Sequence, residues 1–215
     1  MKTPFIYLYG PDGAGKTTHA KIITYYLMRL GYPTKYANVK FHHMLSYIIL
    51  RLLYRSNNSE WYKGFPPPLR KRIRSPWKIL ELMSIIPAIF FRVLLFIILG
   101  YVVVCDRFVI DTLVTLSYFL RDKKILKGWY AKSLIRFIPK NAGVIHLDAN
   151  VETLLERKKD EPLTTGIVEY YKIAYTAYTK YLKELGYKVM EIRTDRKSIT
   201  EVTQVYIPII IRVDR

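Results

Sequence analysis

The chain has 215 residues and a formal net charge of +18, from 35 Lys and Arg against 17 Asp and Glu. At roughly 100–200 residues per domain, this predicts a single domain spanning 1–215. Apolar residues make up 51% of the chain and one cysteine, Cys105, is present, which excludes wholesale disorder and an internal disulfide framework. The cationic excess predicts affinity for polyanions: nucleotides, nucleic acid or an anionic membrane surface. No secretory leader is expected from the first residues, and the expected location is the cytoplasm, with peripheral membrane association as a further expectation.

Short apolar runs alternate with longer helical patterns, which predicts an α/β domain with a mostly parallel sheet. Residues 5–9 read as a buried first strand. Residues 17–30 read as a helix with Ala20, Ile23, Leu27 and Leu30 on one face and Gly31 as its stop. A second strand is expected at 34–39 and an apolar helix at 41–54. Residues 57–78 are expected to be a basic, Pro-rich connection or insertion, with Pro66, Pro67 and Pro68 followed by Arg70, Lys71, Arg72 and Arg74. Between Arg51 and Lys78 there are eight Lys and Arg against one acid, Glu60. Residues 82–105 are apolar apart from Ser84 and Arg92. They are expected to form a core helix, a break at Gly100 and a buried strand at 101–105. The rival reading is a membrane helix, against which Pro87 and Arg92 count. Further strands are expected at 143–147 and 187–192. Between them lie a helix capped by Asn150 and a long helix at 170–185 stopped by Gly186. Ser198 and Glu201 form a capping box for a last helix.

The segment Gly10-Pro11-Asp12-Gly13-Ala14-Gly15-Lys16-Thr17 matches G-x-x-x-x-G-K-[ST] between an apolar strand and a helix. Small residues there let backbone N–H groups turn inward around a phosphate, and the helix N-terminus adds a favourable dipole. Gly10, Asp12, Gly13, Ala14, Gly15, Lys16, Thr17 and Thr18 are therefore the expected nucleotide-binding residues. Lys16 is expected to reach the β- and γ-phosphates and Thr17 to hold Mg²⁺. The expected fold is the three-layer αβα sandwich of P-loop NTPases.

Asp106 and Arg107 directly follow a buried strand, where ligands of parallel sheets bind. Asp106 is expected to order Mg²⁺ with Thr17, and Arg107 to bind an acceptor phosphate as a planar fork. Arg157, Lys158 and Lys159 end the helix after Asn150, ahead of Pro162 and Thr164-Thr165-Gly166. They predict a small lid at 157–168. His42-His43 are expected to be surface or packing residues, and Tyr170, Tyr171, Tyr175 and Tyr178, at helical spacing, core or rim packing residues, with base stacking the rival reading. Asp111 is expected either to face the acceptor or to cap a helix.

The loop with Asp12, the run Asp106-Arg107-Phe108 and Leu147-Asp148 followed by Arg157 resemble thymidylate kinases over nearly the whole chain. The resemblance implies transfer of the ATP γ-phosphate to a nucleoside monophosphate with Mg²⁺. It implies that Asp12 holds the acceptor sugar and that Arg157 is the leading lid arginine, since Gly13 stands where some members carry a catalytic arginine. Lys16, Arg107 and Arg157 are thus the expected catalytic residues. Three departures weaken thymine specificity more than phosphoryl transfer. Asn38-Val39-Lys40-Phe41 stands in place of Glu-Pro-Gly-Gly; Ile85 stands where an acceptor-binding arginine is expected; and Val109-Ile110-Asp111-Thr112 replaces the family's polar and base-stacking pattern. The expected partners are ATP, a nucleoside monophosphate with dTMP favoured, a second copy of the chain, and an anionic membrane or nucleic acid at 51–78. The rival functions are a kinase of the same shape acting on a nucleoside, sugar or polynucleotide end, and a nucleotide-dependent docking protein.

Overall fold

A computed structural model describes residues 5–39, 48–49 and 67–211. Five strands form one all-parallel sheet in the order β2-β3-β1-β4-β5: β1 Phe5–Tyr9, β2 Thr34–Ala37, β3 Val102–Asp106, β4 Gly143–Asp148 and β5 Val189–Arg193. The chain passes from β3 over β1 to β4, so the crevice at the carboxyl ends of the strands opens beside the centrally placed β1, a topological switch point of the kind where α/β ligands bind. Every residue of β1 is fully buried.

Side chains alternate across the sheet, and β1 divides them by type. Ile6 and Leu8 join Val102, Val104, Ile145 and Leu147 under α1 (Lys16–Arg29) and α8 (Ile199–Ile211). Phe5, Tyr7 and Tyr9 join Val103, Cys105 and Val144 on the other face. That face is covered by α2 (Pro67–Ile89), α4 (Val109–Phe119), α5 (Trp129–Ile135) and α7 (Thr165–Glu184). α2 continues through a π-helical turn, Phe90–Leu94, into the short α3, Leu95–Ile98. A further helix, α6, spans Val151–Arg157 and is capped by Asn150, whose side chain accepts from Thr153 N.

Four expectations change. Residues 67–78 are not a connection: α2 starts at Pro67, because prolines in a first helical turn lack only N–H groups that have no partner there anyway. The core-facing Trp77, Ile85 and Ala88 then carry the helix through Pro76 and Pro87. α7 begins at Thr165, five residues early, since the Thr164 side chain accepts from Ile167 N and caps it. Of the lid expected at 157–168, Arg157 therefore ends α6 and 165–168 form the first turn of α7. Finally, β5 starts at Val189, because Tyr187 turns inward and donates its hydroxyl to the Ile138 carbonyl at 2.8 Å. The break at Gly100, with φ of 85°, lies where it was expected. Of the helix expected at 41–54 only residues 48–49 are described, both helical, while His42-His43, Arg51 and the basic segment up to residue 66 lie outside the described residues.

Candidate functional site

The loop after β1 is shaped by its neighbours. Gly10 has φ of 141°, and a Cβ there would stand 1.9 Å from the Leu147 carbonyl oxygen, so no other residue lets the loop leave β1 this close to β4. At Gly13, with φ of 89°, a Cβ would sit 3.0 Å from the Leu154 carbonyl oxygen of α6. An arginine is therefore strained at this position. The loop closes with Ala14 N donating to the Pro11 carbonyl at 3.2 Å and delivers the chain into α1 at Lys16. The amides of that first turn have no helical partners and form a ready anion cradle.

Lys16 is almost fully buried. Its Nζ donates to the Gly10 and Pro11 carbonyls at 2.7 and 2.8 Å and reaches Asp12 Oδ1 at 3.3 Å. Burial lowers its pKa below the ordinary lysine value, helped by the Arg107 charge and opposed by Asp12. Asp12 Oδ1 also meets Arg107 Nη2 at 2.5 Å, so this carboxylate bridges the two cations. Arg107 occupies the left-handed region with φ of 70°, a conformation that is uncommon for residues other than glycine. It is held there from both sides. Its N–H donates to Leu8 O at 3.2 Å, and its carbonyl accepts from Val39 N at 3.1 Å and from the Cys105 thiol at 3.2 Å. Burial alone pulls its pKa down, but Asp12 and Asp111 more than offset this and keep the guanidinium charged.

Asp106 closes β3 beneath the loop. Its Oδ2 accepts from Thr17 Oγ1 at 2.6 Å, Tyr36 Oη at 2.9 Å and Asn38 Nδ2 at 3.3 Å. Burial, followed by the Asp106 charge, pushes the Tyr36 phenol up to about 12. Asp106 Oδ1 is buried with no hydrogen-bond partner among the described residues. A threonine hydroxyl beside a carboxylate with one oxygen unengaged fits an oxygen-preferring dication such as Mg²⁺. That ion usually takes one or two carboxylates and fills its shell with water and phosphate oxygens. Among the described residues no group of three or more His, Cys, Asp or Glu forms a metal site.

Arg157 reaches the loop from α6. Its Nη1 donates to the Gly13 carbonyl and to Thr194 Oγ1, both at 3.1 Å, and its Nη2 to the Thr194 carbonyl at 3.0 Å. Gly13, Gly15, Lys16, Thr17, Thr18, Arg107 and Arg157 line one cleft of about 430 Å³. His19, Lys158, Thr194, Lys197, Ile199 and Val202 complete its wall. None of the lining residues is acidic, so the cleft presents five Lys and Arg side chains to whatever enters it. Gly10, Asp12, Ala14 and Asp106 shape or charge the cleft from behind.

Other sequence candidates are engaged elsewhere. Asp111 caps α4: Oδ2 accepts from Phe108 N at 3.1 Å and Tyr7 Oη at 2.8 Å, and Oδ1 accepts from Tyr175 Oη at 3.1 Å. Asp148 is paired with Lys172 at 2.6 Å. Lys158 is paired with Glu161 at 2.5 Å. Tyr171, Tyr175 and Tyr178 are core residues. The Cys105 thiol is buried and pushed well above its ordinary pKa, chiefly by burial.

Tyr36 and Asn38 on Asp106 were not among the expected site residues. Their signal is the pairing of β2 with β3, Ala37 opposite Cys105, which brings the end of one strand to the end of the other. Thr194, Lys197, Ile199 and Val202, in the cleft wall after β5, were not among the expected site residues either. No family model matches the chain, and no curated protein matches it significantly in sequence.

Proposed function

We propose that this protein is an ATP-dependent kinase that transfers the γ-phosphoryl group to a nucleoside monophosphate, with dTMP the favoured acceptor. The supporting observation is the convergence of Lys16, Thr17, Arg107 and Arg157 on a single cleft, with Asp106 hydrogen-bonded to Thr17 beneath it. In this reading the loop amides and Lys16 bind the β- and γ-phosphates, Lys16 exchanging its two loop carbonyls for phosphate oxygens. Arg107, aligned by Asp12, binds the acceptor phosphate as a fork. An acceptor phosphate oxygen bonds to the γ-phosphorus while the bond to the β–γ bridging oxygen breaks, leaving ADP. Charge spreads over the equatorial oxygens, and Lys16 and Arg157 offset it, so catalysis is positioning and electrostatics without a covalent enzyme intermediate. Thr17 and Asp106 are the residues that would hold Mg²⁺, which when bound supplies further compensation of phosphate charge.

One observation favours a second reading, the same chemistry on a different acceptor. Ile85 is fully buried in the core and Asp111 is tied into its cap, so neither position contributes an acceptor contact. A panel of acceptors with labelled ATP tests both. Label on dTMP in preference to other nucleotides supports the first reading, and label on a nucleoside, sugar or polynucleotide 5′ end supports the second. Lys16→Ala is expected to lower transfer at least about a hundredfold. A purified Lys16→Ala protein with undiminished turnover overturns both.

A further inference from the structure

α2 buries only one of its faces. Trp77, Ser84, Ile85 and Ala88 are buried, and Glu81 on the same side is fully buried. On the opposite side Ile79, Met83, Ile86 and Phe90 recur at intervals of four, three and four residues. At about 100° per residue these four fall within about 60° of one another around the axis. They are 40–61% exposed and run for about 17 Å at 1.5 Å per residue. Phe91, Ile98 and Leu99 are exposed further along, at 63%, 74% and 60%. Scattered exposed apolar residues are ordinary on a soluble protein, but a continuous stripe of large ones marks an interaction surface. An apolar recess of about 530 Å³, lined by Ile73, Trp77, Leu80 and Met83 among others, opens beside it.

Charge identifies the occupant. Between Lys71 and Gly100 the only acid is Glu81, and it is buried. The exposed face therefore carries no negative charge, while Lys71 and Arg72 stand exposed at its beginning. The helical run Lys71–Ile98 is long and apolar enough to cross a membrane by length and composition, with mean hydropathy 2.2 in its most apolar window. Crossing would strip Trp77, Ile85, Ile89 and Val93 out of the core, so the helix suits lying along a surface. A second copy of the chain would bring another +18 against the first, whereas an anionic leaflet attracts it.

We propose that the outer face of α2, centred on Ile79, Met83, Ile86 and Phe90, docks into the headgroup–acyl boundary of an anionic membrane, with Lys71 and Arg72 against the lipid headgroups. This surface is independent of the nucleotide cleft, and the proposal stands whether or not the kinase reading does.

The test is co-sedimentation with vesicles of phosphatidylcholine alone and with added phosphatidylglycerol. The wild-type protein is expected to pellet with the anionic vesicles only, less as salt rises. Ile79→Glu with Met83→Glu is expected to lower binding at least tenfold. Lys123→Ala with Lys127→Ala removes the same net charge elsewhere and is expected to leave binding within about twofold. Equal losses in the two pairs would mean diffuse electrostatic attraction and overturn the proposal, as would no binding by the wild-type protein. A dimer in sedimentation equilibrium that the glutamate pair dissociates would assign the face to a second copy instead. A Met83→Cys protein carrying an environment-sensitive dye does not depend on the glutamate pair folding. Its emission is expected to shift to the blue on anionic vesicles, and an unchanged spectrum there refutes docking through this face.

Discussion

The two faces of the sheet solve the same packing problem with different chemistry. Under α1 and α8 the sheet presents Ile6, Leu8, Val102, Val104, Ile145 and Leu147, an almost wholly aliphatic layer. Under α4 and α7 it presents Phe5, Tyr7 and Tyr9, and the tyrosine hydroxyls require partners. Tyr7 donates to Asp111, as does Tyr175. Tyr9 Oη lies 2.6 Å from Thr179 Oγ1, which in turn lies 3.1 Å from His146 Nδ1, while the His146 ring stacks on Tyr9 at 4.9 Å. The aliphatic layer gains its stability from buried area, and His19 titrates at its edge. The aromatic layer makes stability depend on a buried carboxylate and a buried imidazole, directly behind the phosphate loop.

The comparison breaks most sharply at Asp111. Asp111→Ala leaves two tyrosine hydroxyls and the Phe108 amide without their acceptor. It is expected to cost roughly 3–5 kcal/mol in urea-induced unfolding. A loss below about 1 kcal/mol would show that the network contributes little.

Next in size is the pH dependence of that layer. Burial holds His146 at about 4 against an ordinary 6.5. A depressed base contributes stability that is present above 6.5 and is lost as pH falls to about 4, here about 3 kcal/mol. His19, depressed in the same direction by burial and by Arg157, adds to that slope from the aliphatic side. Asp111 acts in the opposite sense. Burial raises its pKa, so its contribution is present below 3.8 and lost as pH rises through the folded value. The two slopes oppose each other in mildly acidic solution. Asp111→Asn is expected to steepen the gain in stability with rising pH, and His146→Gln to flatten or reverse it. Identical pH profiles for the wild-type protein and both variants would refute the opposition.

The smallest effect sharpens the contrast from the other side. Ile23→Val in the aliphatic layer is expected to cost about 1 kcal/mol, by the same amount at pH 4.5 and pH 7.

Much of this architecture can be read from the amino-acid string where a local rule decides it. The phosphate loop between strand and helix, the Asn150 cap, and the Ser198–Glu201 capping box, with reciprocal bonds at 2.7 and 3.2 Å, all follow from neighbours within a few residues. The start of α2 was hidden because three successive prolines read as a linker, and only the apolar spacing further along shows the helix. Asp111 read as either a cap or an acceptor contact. Choosing between them required knowing that Tyr7, 104 residues away, lies above it. Tyr36 and Asn38 were invisible as Asp106 partners because strand order is a property of the whole sheet. Arg157 was legible as a cation near the loop, but its three acceptors come from two distant turns.

Those three acceptors have a consequence for how the cleft works. At rest the Arg157 guanidinium clasps the Gly13 carbonyl on one rim and Thr194 on the other. Three of its five N–H donors are engaged in this way, which leaves two for a further anionic group. The guanidinium therefore ties the phosphate loop to the turn after β5, and in the proposed kinase its free donors would meet the phosphate from that fixed position. Loosening the clasp, for example through Thr194→Val, would leave the cationic groups in place while removing one of its bonds. Under the proposed function, turnover and the anchoring of the β5–α8 connection would then change together, because one arginine would serve both.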